Sequence, residues 1–275
     1  MNKKEKNDKF FFKHSLGQNF IKDDDLINGI LDDARVGADD NILEIGAGAG
    51  ALTTKLCQRA AKGKVLSIEI DKSLEPILHK KLSNFDNIHL VFDDILKINP
   101  DYIKKEFGGQ TFKVVANLPY YITTPILEYL LDGDLPISDI TVMVQLEVAK
   151  RLAAHVGTKD YGAITPILEM YGTPTITRMV PKEMFTPRPK VDSAILHIDI
   201  SKRQDIDVKY VATIIKKCFA MRRKTLQNNL MSGFDLDKTR SANIISQLGK
   251  SPLVRAEELS LNDFIRLYNA LKAQN

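Results

Sequence analysis

The stretch Asn41-Ile42-Leu43-Glu44-Ile45-Gly46-Ala47-Gly48-Ala49-Gly50-Ala51 decides the fold. Its first half, Asn41–Ile45, is an almost continuous apolar run and reads as a strand buried on both faces. Behind it, Ala51–Ala61 places Leu52, Leu56 and Ala60 on one side at helical spacing. Between the two, glycines at alternate positions let the backbone turn sharply and let a ligand approach without a Cβ in the way. Strand, glycine turn and helix in that order open a βαβ unit.

Working outward, Lys64–Ile70, Ile88–Phe92, Phe112–Ala116 and Ile140–Gln145 are further runs rich in Val, Ile and Leu. Amphipathic segments such as Leu74–Leu82 lie between them, so the pattern predicts an α/β fold with right-handed crossovers and a mostly parallel sheet. Thr175–Val180 and Ser193–Ile200 read as two more strands. Pro174, Pro181, Pro187 and Pro189 punctuate that region, and Phe185–Pro189 is expected to be irregular. Beyond Asp207 the pattern turns helical: Tyr210–Ala220, Arg222–Met231, Thr239–Gln247 and Leu261–Leu271, broken at Gly233, Gly249 and Pro252. The expected layout is a basic tail over residues 1–14, an α/β domain over 15–204 and a small all-helical domain over 205–275.

A chain of 275 residues with 44% hydrophobic and 27% charged side chains belongs to the globular class. No apolar run approaches the roughly 18–20 residues of a membrane span, and no apolar stretch follows the N-terminal lysines as a signal peptide requires. Cys57 and Cys218 stand alone and the five histidines are scattered, so neither a disulfide framework nor a metal site is expected. The expected location is cytoplasmic, with no membrane partner and a monomer as the default state. Charge is unevenly spread: residues 1–14 carry +3, 15–201 carry −6 and 202–255 carry +8. Basic flanks around an acidic middle suggest ends that grip a polyanion, since Lys and Arg on phosphates supply most non-specific affinity for nucleic acid. Basic runs are also ordinary solvated helix faces.

The second strand candidate ends Ile68-Glu69-Ile70-Asp71, and Glu69 lies 23 residues after Gly46. An acid at that distance is placed to accept hydrogen bonds from ribose hydroxyls. The loop also satisfies G-x-G-x-x-G/A, so a nicotinamide dinucleotide is allowed, and a plain structural turn with a surface Glu is the simpler alternative. Asp93 and Asp94 follow the third strand, at the edge where ligands of such sheets sit. A carboxylate there can accept from an adenine amino group, or simply cap a helix.

After the fourth strand the chain reads Ala116-Asn117-Leu118-Pro119-Tyr120-Tyr121-Ile122. This turn fits methylation of a base amine. The exocyclic amine of adenine is a poor nucleophile because its lone pair is delocalised into the ring. The side-chain oxygen of Asn117 and the carbonyl of Leu118 supply two acceptors for its two N–H groups. Pro119 fixes its own φ and biases Leu118 to an extended conformation, which gives that carbonyl a direction. Tyr120 offers a flat face for stacking, worth roughly 1–3 kcal/mol per base. Alignment supplies the rate, with no metal needed.

These residues, Glu44–Gly50 with Asn117–Tyr120, resemble the adenine dimethyltransferases of ribosomal RNA, which use S-adenosylmethionine on a Rossmann-like sheet. Gly17-Gln18-Asn19-Phe20-Ile21, Phe185-Thr186-Pro187-Arg188-Pro189-Lys190-Val191-Asp192-Ser193-Ala194 and Arg222-Arg223-Lys224-Thr225-Leu226 resemble the same family. The likeness runs from Gly17 to the last helix, and Lys190–Ala194 with the Arg222–Leu226 run looks most like its bacterial small-subunit branch. The resemblance implies dimethylation of two adjacent adenosines in a hairpin loop near the 3′ end of small-subunit RNA during ribosome assembly. It implies a cofactor site of Asn19, Ile21, Gly46, Glu69, Asp94 and Asn117. It implies a catalytic set of Asn117, Leu118, Pro119 and Tyr120, with Phe185 stacking the base against Tyr120. Without the resemblance, Phe185 reads as a core residue.

Three departures stand out: Ala47 where the family usually has Pro, Ala49 where it often has Leu, and Ile21 where Leu is common. Arg222, Arg223 and Lys224 open a helix, a poor place for cations, which favours phosphate contact over pairing with Asp235 and Asp237. Three alternatives compete: a large-subunit methylase of the antibiotic-resistance type, a non-catalytic RNA-binding assembly factor, and a nicotinamide-dependent oxidoreductase.

Overall fold

The structure is a computed structural model that describes residues 20–21, 23–200 and 206–272. Asn19 and the basic tail over residues 1–14 lie outside the described residues. No helix among the described residues is long and apolar enough to cross a membrane.

The chain begins with β1 (Phe20–Ile21) and α1 (Asp24–Asp33), which Asp23 caps by accepting from the Leu26 N–H. Strands and helices then alternate: β2 (Ile42–Ile45), α2 (Ala51–Arg59), β3 (Val65–Ile68), α3 (Glu75–Leu82), β4 (Ile88–Val91), α4 (Pro100–Glu106) and β5 (Phe112–Asn117). There follow α5 (Thr123–Asp132), β6 (Ile137–Gln145), α6 (Leu146–Leu152), α7 (Ile164–Glu169), β7 (Thr173–Val180), β8 (Phe185–Thr186) and β9 (Ser193–Asp199). The chain closes with α8 (Val208–Cys218), α9 (Leu226–Phe234), α10 (Lys238–Gln247) and α11 (Leu261–Lys272).

Seven strands form one sheet in the order β4-β3-β2-β5-β6-β9-β7. The first five are parallel, and β9 runs antiparallel to both its neighbours. This is the expected mostly parallel α/β architecture. Side chains alternate across it, as the strand period requires. Ile42, Val65, Val115, Met143 and Ile195 face the layer that holds Leu26, Ile30, Leu52 and Leu56 of α1 and α2. Leu43, Leu66, Val114, Val142 and Leu196 face the opposite layer, with Ile126 and Leu130 of α5 and Ala149 of α6. The edge strand β7 is largely exposed, which is why Pro174 is tolerated within it.

The C-terminal helices pack on that second layer. Val211, Ile214 and Ile215 of α8, Leu226 and Leu230 of α9 and Phe264 and Leu267 of α11 share one apolar cluster with Leu168 of α7 and the sheet. Two expectations change. Helix α9 starts at Leu226 and not Arg222, because Thr225 takes the N-cap and accepts from the Asn228 N–H. Phe185–Thr186 is not irregular: it pairs antiparallel with β1, Ile21 opposite Phe185. Two residues are too short a run for any periodic signal, and the partner lies at the far end of the chain.

Candidate active site

The sheet has one topological switch point. From β2 the chain builds outward through β3 and β4, then returns to lay β5 on the other side of β2. Connections diverge there, and a crevice opens beyond the carboxyl ends of the strands. A cleft of about 1030 Å³, open mouth included, occupies this position. Its walls come from the loops after β2, β3, β4 and β5 together with β1.

The glycine loop forms its floor. Gly46, Gly48 and Gly50 all have positive φ, at 84°, 56° and 75°. A Cβ on Gly48 would stand 2.9 Å from the ring of Phe20, so here the missing side chain makes room as well as permitting the turn. The Gly46 N–H donates to the Ile68 carbonyl at 2.8 Å, extending the β2–β3 ladder into the loop. Ala47 is buried against Leu74, Leu78 and Leu82, so the residue that departs from the family pattern serves packing.

Glu69 is 5% exposed and both its carboxylate oxygens are engaged. The Gly48 N–H donates to Oε2 and the Asp71 N–H to Oε1, each at 2.8 Å. Burial raises the pKa of this carboxyl and the two amides oppose the rise. The carboxylate lines the cleft, and a carboxylate oxygen can accept more than one hydrogen bond. Asp94 lines the cleft after β4 and also caps a short 3₁₀ turn, accepting from the Leu96 N–H at 3.1 Å. Capping thus accounts for one of its oxygens, in a side chain that also borders the cleft.

Asn117 ends β5, and a Cβ on Gly46 would stand 3.6 Å from the Asn117 carbonyl oxygen. The glycine loop and the Asn-Leu-Pro-Tyr turn thus touch back to back. The Leu118 N–H donates to the Met143 carbonyl of β6 at 3.1 Å, which fixes the orientation of the peptide leading into the turn. The Tyr120 hydroxyl meets Ser193 Oγ at 2.6 Å, and its pKa is raised by burial. Thr123 Oγ1 donates to the Pro119 carbonyl at 3.2 Å, binding the turn to the start of α5.

The structure brings Ile21, Gly46, Glu69, Asp94, Asn117, Leu118, Pro119 and Tyr120 to one cleft. Phe185 is not brought there. It is 4% exposed, in the apolar cluster with Ile21, Met143, Val180 and Ile195, because its pairing with β1 turns the side chain into the core. The stacking role expected for Phe185 is absent from this arrangement. Phe20 and Tyr121 contribute the cleft's other aromatic rings. Each adjoins a residue of the expected site in sequence, but no spacing signal distinguishes a ring that lines a cleft from one that packs in the core.

The basic trio divides. Arg222 makes contacts within the chain: Nη2 donates to the Lys159 carbonyl and, at 3.5 Å, to that of Tyr161, while Nε reaches Glu257 at 3.4 Å. These contacts tie the 159–161 turn to the helical region, while the side chain stays 55% exposed. Arg223 and Lys224 are exposed and form no ion pair among the described residues. Asp235 and Asp237 pair with neither, since Asp235 caps the end of α9 in a left-handed conformation and Asp237 caps the start of α10.

The lining suits a nucleoside: a buried carboxylate, a second carboxylate one strand further out, and a glycine floor without side chains. No group of His, Cys, Asp and Glu among the described residues is arranged to hold a metal.

Comparison with known proteins agrees with this geometry. The chain is 42% identical to ribosomal RNA small subunit methyltransferase A of Bacillus cytotoxicus over 270 residues, covering 95% of this chain and 92% of the other. It is 42% identical to the protein of the same name from Streptococcus sanguinis, covering 96% and 93%. The crystal structure of 23S rRNA methyltransferase ErmE superposes with a TM-score of 0.70 at 27% identity, over 92% of this chain and 100% of that one. A dimethyladenosine transferase from Plasmodium falciparum shares the fold, with a TM-score of 0.75 at 23% identity over 93% and 98%. The family model described as ribosomal RNA adenine dimethylase matches residues 9–273. With the glycine loop, the buried acid and the Asn-Leu-Pro-Tyr turn converging on one cleft, the chain belongs to the ribosomal RNA adenine dimethylase family.

Proposed function

We propose that this chain dimethylates the exocyclic amines of two adjacent adenosines in a hairpin loop near the 3′ end of small-subunit ribosomal RNA, on an immature subunit. One observation carries the reading: the Asn117–Tyr120 turn forms a wall of the cleft whose floor is the Gly46–Gly50 loop. Identity of 42% to small-subunit methyltransferases, against 27% to the large-subunit enzyme, supports the small-subunit substrate.

Glu69 would hold the ribose hydroxyls of S-adenosylmethionine and Asp94 the adenine amine. Ile21 would pack beside that cofactor, and the Gly46–Gly48 backbone would let it approach closely. When bound, S-adenosylmethionine supplies an electrophilic methyl sulfonium. The chain's own contribution is orientation. Asn117 Oδ1 and the Leu118 carbonyl accept from the two N–H groups of the target amine, so its lone pair turns out of the ring plane and toward the donor. Tyr120, pinned through Ser193, presents its ring to the base. The alkylated amine is acidic and loses its proton to water, so no side chain has to act as a strong base. A target in a hairpin loop is already unstacked enough to enter, which lowers the cost of taking the base from its stack. Arg223 and Lys224 would contact phosphates.

Incubating the chain with labelled S-adenosylmethionine and undermethylated small subunits tests this, with mass analysis of the 3′-terminal RNA fragment. Two adjacent dimethylated adenosines are expected. Methylation of isolated large-subunit RNA with small subunits left unmodified would overturn the proposal.

A further inference from the structure

Tyr121 has no part in the mechanism above, yet it lines the same cleft as Tyr120. The two neighbouring rings are treated differently by the fold. Tyr120 is partly buried and its hydroxyl is tied to Ser193 at 2.6 Å. Tyr121 is 54% exposed and, among the described residues, its side chain forms no hydrogen bond or ring contact. Its backbone is nevertheless held: the Ile122 N–H donates to the Pro119 carbonyl at 3.3 Å, and α5 begins at Thr123. The ring is therefore an open apolar face on a rigid turn, at the rim of a cleft that admits a nucleobase. Ile70, 42% exposed, adds a second apolar side chain to the same lining.

A ribonucleotide that delivers its base into the cleft remains joined to its neighbours, whose bases must lie at the mouth. Unstacked bases of single-stranded RNA find replacement stacking on aromatic side chains, and that stacking tolerates any base because each has a π face. We propose that Tyr121 is a second stacking surface, holding the nucleobase adjacent to the one in the cleft. The inference rests on the methyl-transfer reading above. It makes Tyr121 a residue that binds the substrate strand, and leaves the alignment of the reacting amine to Asn117 and Leu118.

The test uses the full chain, undermethylated small subunits and labelled S-adenosylmethionine, with KM for the subunit and kcat measured separately. Replacing Tyr121→Ala is expected to raise that KM about 5- to 150-fold, the loss of one base–aromatic stack, with kcat changed far less and affinity for S-adenosylmethionine unchanged. Tyr121→Phe, which keeps the π face, is expected to restore the KM. A Tyr121→Ala variant with the parent KM overturns the proposal, as does a Tyr121→Phe variant impaired as much as Tyr121→Ala. Failure of the unsubstituted chain to transfer methyl groups overturns the functional reading itself, and shows before any substitution is made.

Discussion

Ser193, the first residue of β9, meets the hydroxyl of Tyr120 at 2.6 Å across 73 positions of sequence. Ser193 is fully buried, so the pair is an anchor from the sheet to the turn that walls the cleft.

Removing either side of that anchor has separable effects. Tyr120→Phe keeps the ring but leaves the buried Ser193 hydroxyl without its partner, at a cost of roughly 1–3 kcal/mol in stability. Tyr120→Ala removes the stacking face as well and is expected to lower kcat/KM for methyl transfer about 5- to 150-fold. Equal activity losses in the two variants would show that the hydroxyl, and not the ring, matters.

Glu69 is expected to govern cofactor affinity. Hydrogen bonds to charged groups contribute about 1.5–3 kcal/mol, so Glu69→Ala should weaken S-adenosylmethionine binding roughly 10- to 150-fold by titration calorimetry. The variant also loses the acceptor for the Gly48 and Asp71 amides, so a lower melting temperature accompanies the loss. Asn117→Ala should behave differently, with RNA affinity retained and turnover abolished.

Glu44 predicts a pH dependence of stability. It is fully buried, with Oε2 accepting from Thr53 at 2.7 Å and from Ser67 at 2.5 Å, while Oε1 has no partner. Burial pushes its pKa up from 4.5 to about 7, against the pull of Ser67 and Thr53, and the Glu69 carboxylate adds to the rise. Between these values the folded chain keeps a proton that the unfolded chain has lost. Stability from this group is therefore complete below pH 4.5 and is lost as the pH rises through about 7. The change totals on the order of 3 kcal/mol. Denaturant unfolding at several pH values should show that slope reduced in Glu44→Gln, with the variant gaining on the parent at pH 8. An identical slope in both would assign it to another carboxyl.

Arg222 and its two neighbours should separate in RNA binding. Arg222→Ala is expected to lower the melting temperature, because it releases the 159–161 turn and Glu257. Its salt dependence of RNA binding should stay close to that of the parent. Arg223→Ala and Lys224→Ala should leave stability unchanged and flatten the plot of log affinity against log salt, by about 0.7–0.9 for each phosphate no longer neutralised.

Phe185 gives a further contrast. As a core side chain, its replacement by Ala should cost about 3–5 kcal/mol of stability. A loss of activity in a variant that still unfolds at the parent's denaturant midpoint would instead place the ring against the substrate.

What the sequence determined by itself was local. Largely apolar runs revealed the strands from Asn41 to Gln145 to within a few residues, because burial on both faces leaves few polar positions to blur them. The glycines at 46, 48 and 50 were legible because all three adopt backbone conformations that other residues rarely take. The Asn117–Tyr120 turn was legible for a similar reason, since proline fixes the backbone around it. Only the tertiary structure decided where side chains go. The β4-β3-β2-β5 strand order set Asp94, Glu69, Gly46 and Asn117 side by side around one crevice. Pairing of β8 with β1 turned Phe185 inward, and the packing of residues 159–161 against the helical region claimed Arg222. Each of these outcomes depends on contacts between residues distant in the chain, and a linear pattern carries the period of an element but not the identity of its neighbours.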